Sequence, residues 1–162
     1  MEQVHAELIT VRTSHIHGTG IFAATRILRG TRITQYIGEK VSKEEGTRRE
    51  ELQCKTAKEG AATVFVFELD DKWDIDGKVP ENTARFINHS CMPNCEVLFE
   101  NGEIWIVAQQ DISTGEELSY DYGFDLENFE KYPCKCGKPN CVGYMVAQEH
   151  WSALKTLLKT RR

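Results

Sequence analysis

Cysteines constrain this chain more than any other residue type, because three of its six fall within eight residues. The stretch CKCGKPNC, residues 134–141, has the spacing Cys-x-Cys-x4-Cys. Gly137 and Pro139 favour a turn there, so the three thiolates can converge on one ion. A structural zinc site needs a fourth tetrahedral ligand. The candidates for it are Cys54, Cys91, Cys95 and the histidines. Such a site would make metal binding part of the folding free energy.

A second stretch, RFINHSCMPNC at residues 85–95, contains two more cysteines, which could be metal ligands, disulfide partners or a catalytic nucleophile. The N-terminal segment shows no basic region followed by an apolar one, so no secretory signal is predicted. A reducing compartment and metal ligation are therefore favoured over three disulfides. Free buried thiols, or one disulfide with leftover thiols, stay open. The sharpest rival is a nucleophilic Cys91 with His89 as its base, although neighbours in sequence need not face each other.

Composition and charge narrow the classes of function. The chain has 162 residues, the usual size of one domain, and 40% apolar residues are enough to build a core. The 20 Lys and Arg residues against 25 Asp and Glu residues give a net charge of −5. This balance argues against general nucleic-acid binding and favours a basic partner. No apolar run reaches 18 residues, so we predict no membrane span.

Local patterns predict mostly short strands. The first forty residues alternate and are punctuated by glycines, which is typical of strands and turns. Residues 42–59 are charged and predict a solvated helix or loop, with Gly46 weakening the helix. Residues 64–76 predict a strand followed by a turn. Asn101-Gly102 stands between two apolar runs and predicts a tight hairpin.

The C-terminal segment has a different pattern. Apolar residues recur at Ala147, Trp151, Leu154 and Leu158, which is one face of an amphipathic helix. Lysine and arginine follow at its end, as the helix dipole favours. We expect the apolar face to pack on its own domain. A homodimer or a partner helix is the alternative.

Four stretches, in this order, resemble one family: HGTGIFA (17–23), RFINHSCMPNC (85–95), GEELSYDYGF (115–124) and CKCGKPNC (134–141). They are similar to the SET-domain protein lysine methyltransferases with a cysteine-bearing post-SET tail. The resemblance implies a mostly β (α+β) fold of several small sheets with a C-terminal pseudoknot. It also implies three parts: a SET domain at 9–124, a post-SET zinc-binding segment at 130–146 and a C-terminal amphipathic helix at 147–162.

The resemblance further implies two bound groups, S-adenosylmethionine and Zn²⁺. The zinc ligands it implies are Cys91, Cys134, Cys136 and Cys141, and Cys95 is left as a small buried thiol. The cofactor-binding residues it implies are His17, Gly18, Thr19, Gly20, Phe65, Asn88 and His89. Phe65 stands where many relatives place a cofactor-adjacent tyrosine, so one hydroxyl is missing here.

Methyl transfer from a sulfonium to a lysine needs a neutral amine, although free lysine has a pKa of about 10.4. An apolar channel and the nearby sulfonium charge both disfavour the ammonium form. By resemblance, Tyr122 is the catalytic tyrosine that orients the amine and the methyl group. Tyr120 occupies the position that limits how many methyl groups fit, which predicts mono- over trimethylation. Taken alone, both tyrosines would be interpreted as strand-face core residues.

We therefore expect an S-adenosylmethionine-dependent protein lysine N-methyltransferase that acts on a histone tail or another basic protein. The alternative is a catalytically silent SET-fold module that binds peptides. Phe65 and Glu81 depart from the family pattern and keep that alternative open, whereas Tyr122, Asn88 and His89 argue against it. An intracellular location is expected, cytoplasmic in a bacterium and nuclear in a eukaryote.

Overall fold

The computed structural model describes residues 7–56 and 64–160. The strands within these ranges are β1 (Ile9–Thr13), β2 (Thr19–Ala23), β3 (Arg32–Tyr36), β4 (Glu39–Ser42), β5 (Val66–Glu68), β6 (Trp73–Asp76), β7 (Asn88–His89), β8 (Cys95–Glu100), β9 (Glu103–Ala108) and β10 (Ser119–Tyr120). The helices are α1 (Lys43–Thr56) and α2 (Trp151–Thr160), with 3-10 turns at Thr83–Phe86, Phe129–Lys131 and Gln148–His150. Neither helix is long and apolar enough to cross a membrane.

The strands form several small sheets, as the family resemblance implies. β1 pairs with β2, β9 lies between β3 and β8, and β6 lies between β4 and β5, all antiparallel. β7 and β10 form a separate parallel pair. Buried isoleucines and leucines from the different sheets share one core, which includes Ile21, Ile33, Ile104, Ile106 and Leu118. The small sheets therefore depend on one another for burial.

The hairpin between β8 and β9 follows the predicted turn. Asn101 and Gly102 both have positive φ, 53° and 76°, as a tight two-residue hairpin turn requires. The register runs from Glu100 opposite Glu103 to Cys95 opposite Ala108. Since β9 is the central strand of its sheet, five of its six residues are buried.

Of the two structures predicted for residues 42–59, a helix or a loop, the chain forms a helix, α1, which ends at Thr56. Residues 57–59 lie outside the described ranges. Its docking is polar: Arg49 pairs with Asp76 at 2.9 Å, and Gln53 donates a hydrogen bond to the same carboxylate. Gly46 is buried where the helix crosses β6, and a Cβ there would lie 2.1 Å from Asp74 Oδ2. Close approach to β6 therefore explains a glycine inside this helix.

Helix α2 begins later than the predicted boundary of 147, at Trp151, after the 3-10 turn Gln148–His150. Leu154 is fully buried against Phe129 and Val146, so the apolar face packs on its own chain, as expected. Residues 161–162 lie outside the described ranges. A homodimer through this helix stays an untested alternative.

We predict that Gly46→Ala destabilises the fold, although alanine favours helices by about 1 kcal/mol over glycine. The added Cβ overlaps the Asp74 carboxylate, and overpacking of this kind costs about 1–3 kcal/mol. Urea unfolding gives the change in the free energy of unfolding. Glu51→Ala, on an exposed face of the same helix, is the control and should change it little. A stabilised Gly46→Ala protein would show that α1 does not approach β6 this closely.

Candidate active site and metal centre

The parallel pairing of β7 with β10 joins two of the sequence motifs. Asn88 lies opposite Ser119, and His89 lies opposite Tyr120. The backbone N–H of Ser90 donates to the carbonyl of Tyr120 at 3.3 Å and extends the pairing. This is the contact that the predicted pseudoknot requires; the threading of the chain stays a prediction.

His89 connects this pairing with both the tyrosines and the thiols. Its Nδ1 accepts a hydrogen bond from the backbone N–H of Tyr122 at 3.1 Å, and its Nε2 lies 3.7 Å from Cys91 Sγ. Burial lowers the pKa of His89 to about 4, and the Asp121 carboxylate, 3.7 Å away, opposes this only in part. The ring is therefore neutral at pH 7. Since Nδ1 accepts, Nε2 carries the proton and faces the sulfur.

Aromatic rings surround the predicted catalytic tyrosines. The rings of Tyr120 and Tyr122 are 4.9 Å apart between centroids, Phe67 stacks on Tyr120 at 6.0 Å, and Tyr36 lies 5.0 Å from Phe67. The Tyr122 hydroxyl donates to the carbonyl of Ile87 at 2.7 Å. Burial raises the pKa of Tyr120 and Tyr122 well above that of free tyrosine, so both hydroxyls stay protonated.

These rings line part of a groove of ≈ 720 Å³ between α1, β5 and the segment after β10. The carboxylates that line it are Glu50, Glu68, Asp74, Asp121 and Asp125, and the cations are Lys43 and Arg85. Lys43 is already paired with Asp74 at 2.7 Å and Glu68 at 3.1 Å. Burial, together with the charges of Asp74 and Asp125, raises the pKa of Glu50. Negative charge is therefore in surplus along the groove, which suits a cationic chain.

On another side of β7, the loop His17–Gly20 packs against Asn88. The amide nitrogen Nδ2 of Asn88 lies 3.2 Å from the carbonyl oxygen of His17 and 3.1 Å from that of Thr19. Gly18 has a φ of 46°, which glycine adopts readily. The backbone of this loop and the Asn88 side chain offer polar groups for the charged end of a ligand, so the residues present fit the cofactor that the resemblance implies.

Phe65 contributes through its backbone. Its N–H donates to Gln53 Oε1 and its carbonyl accepts from the Tyr36 hydroxyl, both at 2.8 Å. Among the described aromatic contacts, Phe67 rather than Phe65 reaches Tyr120. Sequence reasoning missed Phe67, although the alternation in FVF places both phenylalanines on one face of an extended segment. A cofactor role for Phe65 stays a prediction.

The four predicted zinc ligands converge. The Sγ atoms of Cys91, Cys134, Cys136 and Cys141 all lie within 4.8 Å of one another. Cys91 Sγ is 3.7 Å from Cys134 Sγ and 3.8 Å from Cys141 Sγ. In a tetrahedron with zinc–sulfur bonds of about 2.3 Å, neighbouring sulfurs are about 3.8 Å apart. The geometry of the thiols therefore fits a zinc ion.

The remaining cysteines lie outside this cluster, and all six cysteines, which fall within residues 7–56 and 64–160, are free thiols there. Cys95 is 1% exposed, as expected for a small buried thiol. Cys54 is exposed and lies 3.6 Å from the Tyr132 hydroxyl. Cys91 is also 1% exposed and has three thiol neighbours, so the structure does not favour it as a nucleophile, although His89 is close.

Asp121, between the two tyrosines, is a second residue that sequence reasoning missed. One oxygen accepts from the backbone N–H of Gly123 at 3.0 Å and the other from that of Gln148 at 3.2 Å. The Gln148 side chain in turn donates to the carbonyl of Cys91 at 3.4 Å. Asp121 thus ties the tyrosine segment to the start of α2 and to the thiol cluster. Its only sequence signal was its place inside SYDY.

Comparison with known proteins agrees with this geometry. The family model described as the SET domain matches residues 18–123. Over 150 residues, 90% of the chain, it is 39% identical to "Histone-lysine N-methyltransferase trr" of Drosophila melanogaster. Over 136 residues, 82% of the chain, it is 40% identical to "Histone-lysine N-methyltransferase, H3 lysine-4 specific" of Schizosaccharomyces pombe. The Saccharomyces cerevisiae protein with that second name is 37% identical over 138 residues.

These relatives are much longer than the matched region. The match covers 6% of the Drosophila protein, 14% of the Schizosaccharomyces protein and 12% of the Saccharomyces protein. The family match itself includes the loop from Gly18, the Asn88–His89 pair and both tyrosines of SYDY. It also covers the strands from β2 to β10. The chain therefore belongs to the SET-domain family.

Proposed function

We propose that the chain is an S-adenosylmethionine-dependent protein lysine N-methyltransferase. One observation carries the proposal: the β7–β10 pairing brings Asn88 and His89, beside the loop His17–Gly20, together with the two tyrosines that line the groove. A cofactor at Asn88 and a lysine in the groove would meet at Tyr122. The names of the relatives support this activity.

S-adenosylmethionine supplies the electrophilic methyl group when it is bound. The chain's own residues prepare the nucleophile. Tyr36, Phe67, Tyr120 and Tyr122 surround the lysine amine with rings, and this low-polarity setting favours the neutral form. The protonated Tyr122 hydroxyl, held by the carbonyl of Ile87, helps to orient the amine. The acidic groove receives the basic residues that flank the lysine.

The substrate that we propose is a histone tail, with lysine 4 of histone H3 as the first candidate. The surplus of carboxylates along the groove supports a basic peptide, and the Schizosaccharomyces and Saccharomyces relatives are named as specific for that lysine. A second depression of ≈ 650 Å³ shares Glu50, Phe124 and Asp125 with the groove and continues to Tyr132. A peptide would thus run between α1 and the segment before the thiol cluster.

We also propose a zinc ion held by Cys91, Cys134, Cys136 and Cys141. Its role is structural, because four thiolates leave no open coordination position. The ion would fix the C-terminal segment beside the site. The parts that we propose are the SET domain at 9–124, the post-SET segment at 130–146 and the C-terminal helical part at 147–162. We propose a nuclear location in a eukaryote.

The zinc proposal predicts one zinc per chain, lost in Cys136→Ser because three thiolates remain. Elemental analysis of the purified proteins measures the metal. Loss of zinc should also lower the thermal midpoint, since metal binding contributes to folding. Cys54→Ser is the matched control, because Cys54 is exposed and outside the cluster, and it should keep its zinc. A zinc-free wild type, or full zinc in Cys136→Ser, would contradict the site.

Tyr122→Phe should lower kcat for methyl transfer to a histone H3 peptide by about 10²-fold or more. The variant loses the hydroxyl that positions the amine, and lost positioning can cost about 10²-fold in rate, whereas the affinity for S-adenosylhomocysteine should change little. Transfer of a labelled methyl group measures the rate, and Tyr144→Phe, in the second apolar cluster, is the control. If zinc-loaded wild type transfers no methyl to a histone mixture, a catalytically silent peptide-binding module replaces the proposed enzyme.

Tyr120→Phe tests the expected preference for monomethylation. Removing the hydroxyl enlarges the space beside Phe67 and Tyr122 by about one oxygen atom, so a methylated amine can bind for a further transfer. Mass spectrometry of the peptide product should shift from mainly monomethyl-lysine to di- and trimethyl-lysine. Trimethyl-lysine as the main product of the wild type would contradict the proposed role of Tyr120.

A further inference from the structure

Glu117 is a carboxylate that the proposed mechanism does not use. It belongs to GEEL, just before β10, and its Oε1 reaches back toward Ser14 and the loop His17–Gly20. There it accepts hydrogen bonds from the Ser14 hydroxyl at 2.6 Å and from Asn88 Nδ2 at 2.9 Å. Gly20 leaves room for this approach, because a Cβ at that position would lie 2.4 Å from Oε1. The Glu117 carboxylate can therefore approach the loop only because Gly20 has no side chain.

The proton of Ser14 makes this network directional. A hydroxyl has one proton, and the short contact with Glu117 commits the Ser14 proton to the carboxylate. The oxygen of Ser14 can then only accept, from Asn88 Nδ2 at 3.1 Å and from the backbone N–H groups of Ile16 and His17. Glu117 thus makes Ser14 Oγ an acceptor, and not a donor, toward Asn88.

This arrangement fixes the orientation of the Asn88 amide. All four partners of Nδ2 are acceptors: Ser14 Oγ, Glu117 Oε1 and the carbonyl oxygens of His17 and Thr19. A flipped amide would direct its oxygen at these acceptors. Nδ2 therefore faces the loop, and Oδ1 is turned away from it, free to accept from a ligand. At 8% exposure, Asn88 has little freedom to reorient.

The network also carries negative charge. In the part of the chain that the structure describes, Glu117 joins no ion pair, and its hydrogen-bond partners are the neutral groups of Ser14 and Asn88. The carbonyl oxygens of His17 and Thr19 share with Glu117 the partner Asn88 Nδ2, and they add partial negative charge on that side of Asn88. A partly buried carboxylate without a counter-ion favours a cation nearby.

We propose that Glu117 is a positioning residue for the cationic amino-acid end of S-adenosylmethionine. Its carboxylate acts through Ser14 to hold the Asn88 amide, and its charge favours the α-ammonium group of the ligand. The inference rests on the proposed function, because it takes that cofactor as the ligand of the loop.

Calorimetric titration with S-adenosylhomocysteine tests this positioning role. Glu117→Gln keeps the shape and an acceptor oxygen but removes the charge, and it should weaken binding about tenfold. Glu116→Gln is the matched control. Glu116 is a neighbouring exposed carboxylate that accepts a hydrogen bond from the backbone N–H of Ser113, and its variant should bind S-adenosylhomocysteine as the wild type does. Ser14→Ala should also weaken binding, and the double variant should lose less than the sum, because both act through one chain of hydrogen bonds.

The second ligand is the analogue of S-adenosylhomocysteine that lacks the α-amino group. The wild type should bind this analogue more weakly than S-adenosylhomocysteine. Glu117→Gln should change the affinity for the analogue by less than about twofold, since the ammonium group that Glu117 attracts is absent. Equal losses for both ligands would indicate a general structural role and overturn the inference. So would unchanged binding of S-adenosylhomocysteine by Glu117→Gln. If the wild type binds neither ligand, the proposed function itself fails.

Discussion

The whole site depends on a parallel pairing only two residues long, between Asn88–His89 and Ser119–Tyr120. So short a pair of strands is not stable alone, and its neighbours must hold it. His89 holds it through Nδ1 to Tyr122 and through Nε2 toward Cys91. The thiol cluster holds it as well, because the cluster joins the end of β7 to the segment that follows β10. A zinc ion there would close the loop between them and favour the paired state.

Two different electrostatic environments lie next to this pairing, one acidic and one of low polarity. The groove is lined by carboxylates and favours a basic chain, whereas the rings of Tyr120 and Tyr122 form a low-polarity wall that disfavours an ammonium. In the proposed function, a lysine attracted by the carboxylates would meet these rings as a neutral amine. The loop His17–Gly20 is electronegative again, through its backbone carbonyls and the neighbouring Glu117. In the same proposal, β7 would separate the substrate from the cofactor, with Tyr122 between them.

Local sequence patterns predicted the structural elements that depend on interactions between residues close in sequence. The Asn101-Gly102 hairpin follows from turn chemistry, the C-terminal helix from its apolar period, and the thiol cluster from spacing plus resemblance. Helix α1 was ambiguous, because it docks through Arg49 and Gln53 rather than an apolar stripe, and periodicity does not detect such contacts. Phe67 and Glu117 were missed for a similar reason. Their roles depend on which distant residues they meet, and the sequence alone does not specify those partners.

The most direct test of the account is a crystal structure of the zinc-loaded chain with S-adenosylhomocysteine and a lysine peptide. We predict that the amino-acid end of S-adenosylhomocysteine lies beside Asn88 and that the lysine amine enters from the groove. The thioether sulfur and the amine should meet next to the Tyr122 hydroxyl, with one metal ion bound by the four clustered thiols. A sulfur and an amine that do not meet at Tyr122, or four thiols that share no ion, would contradict it.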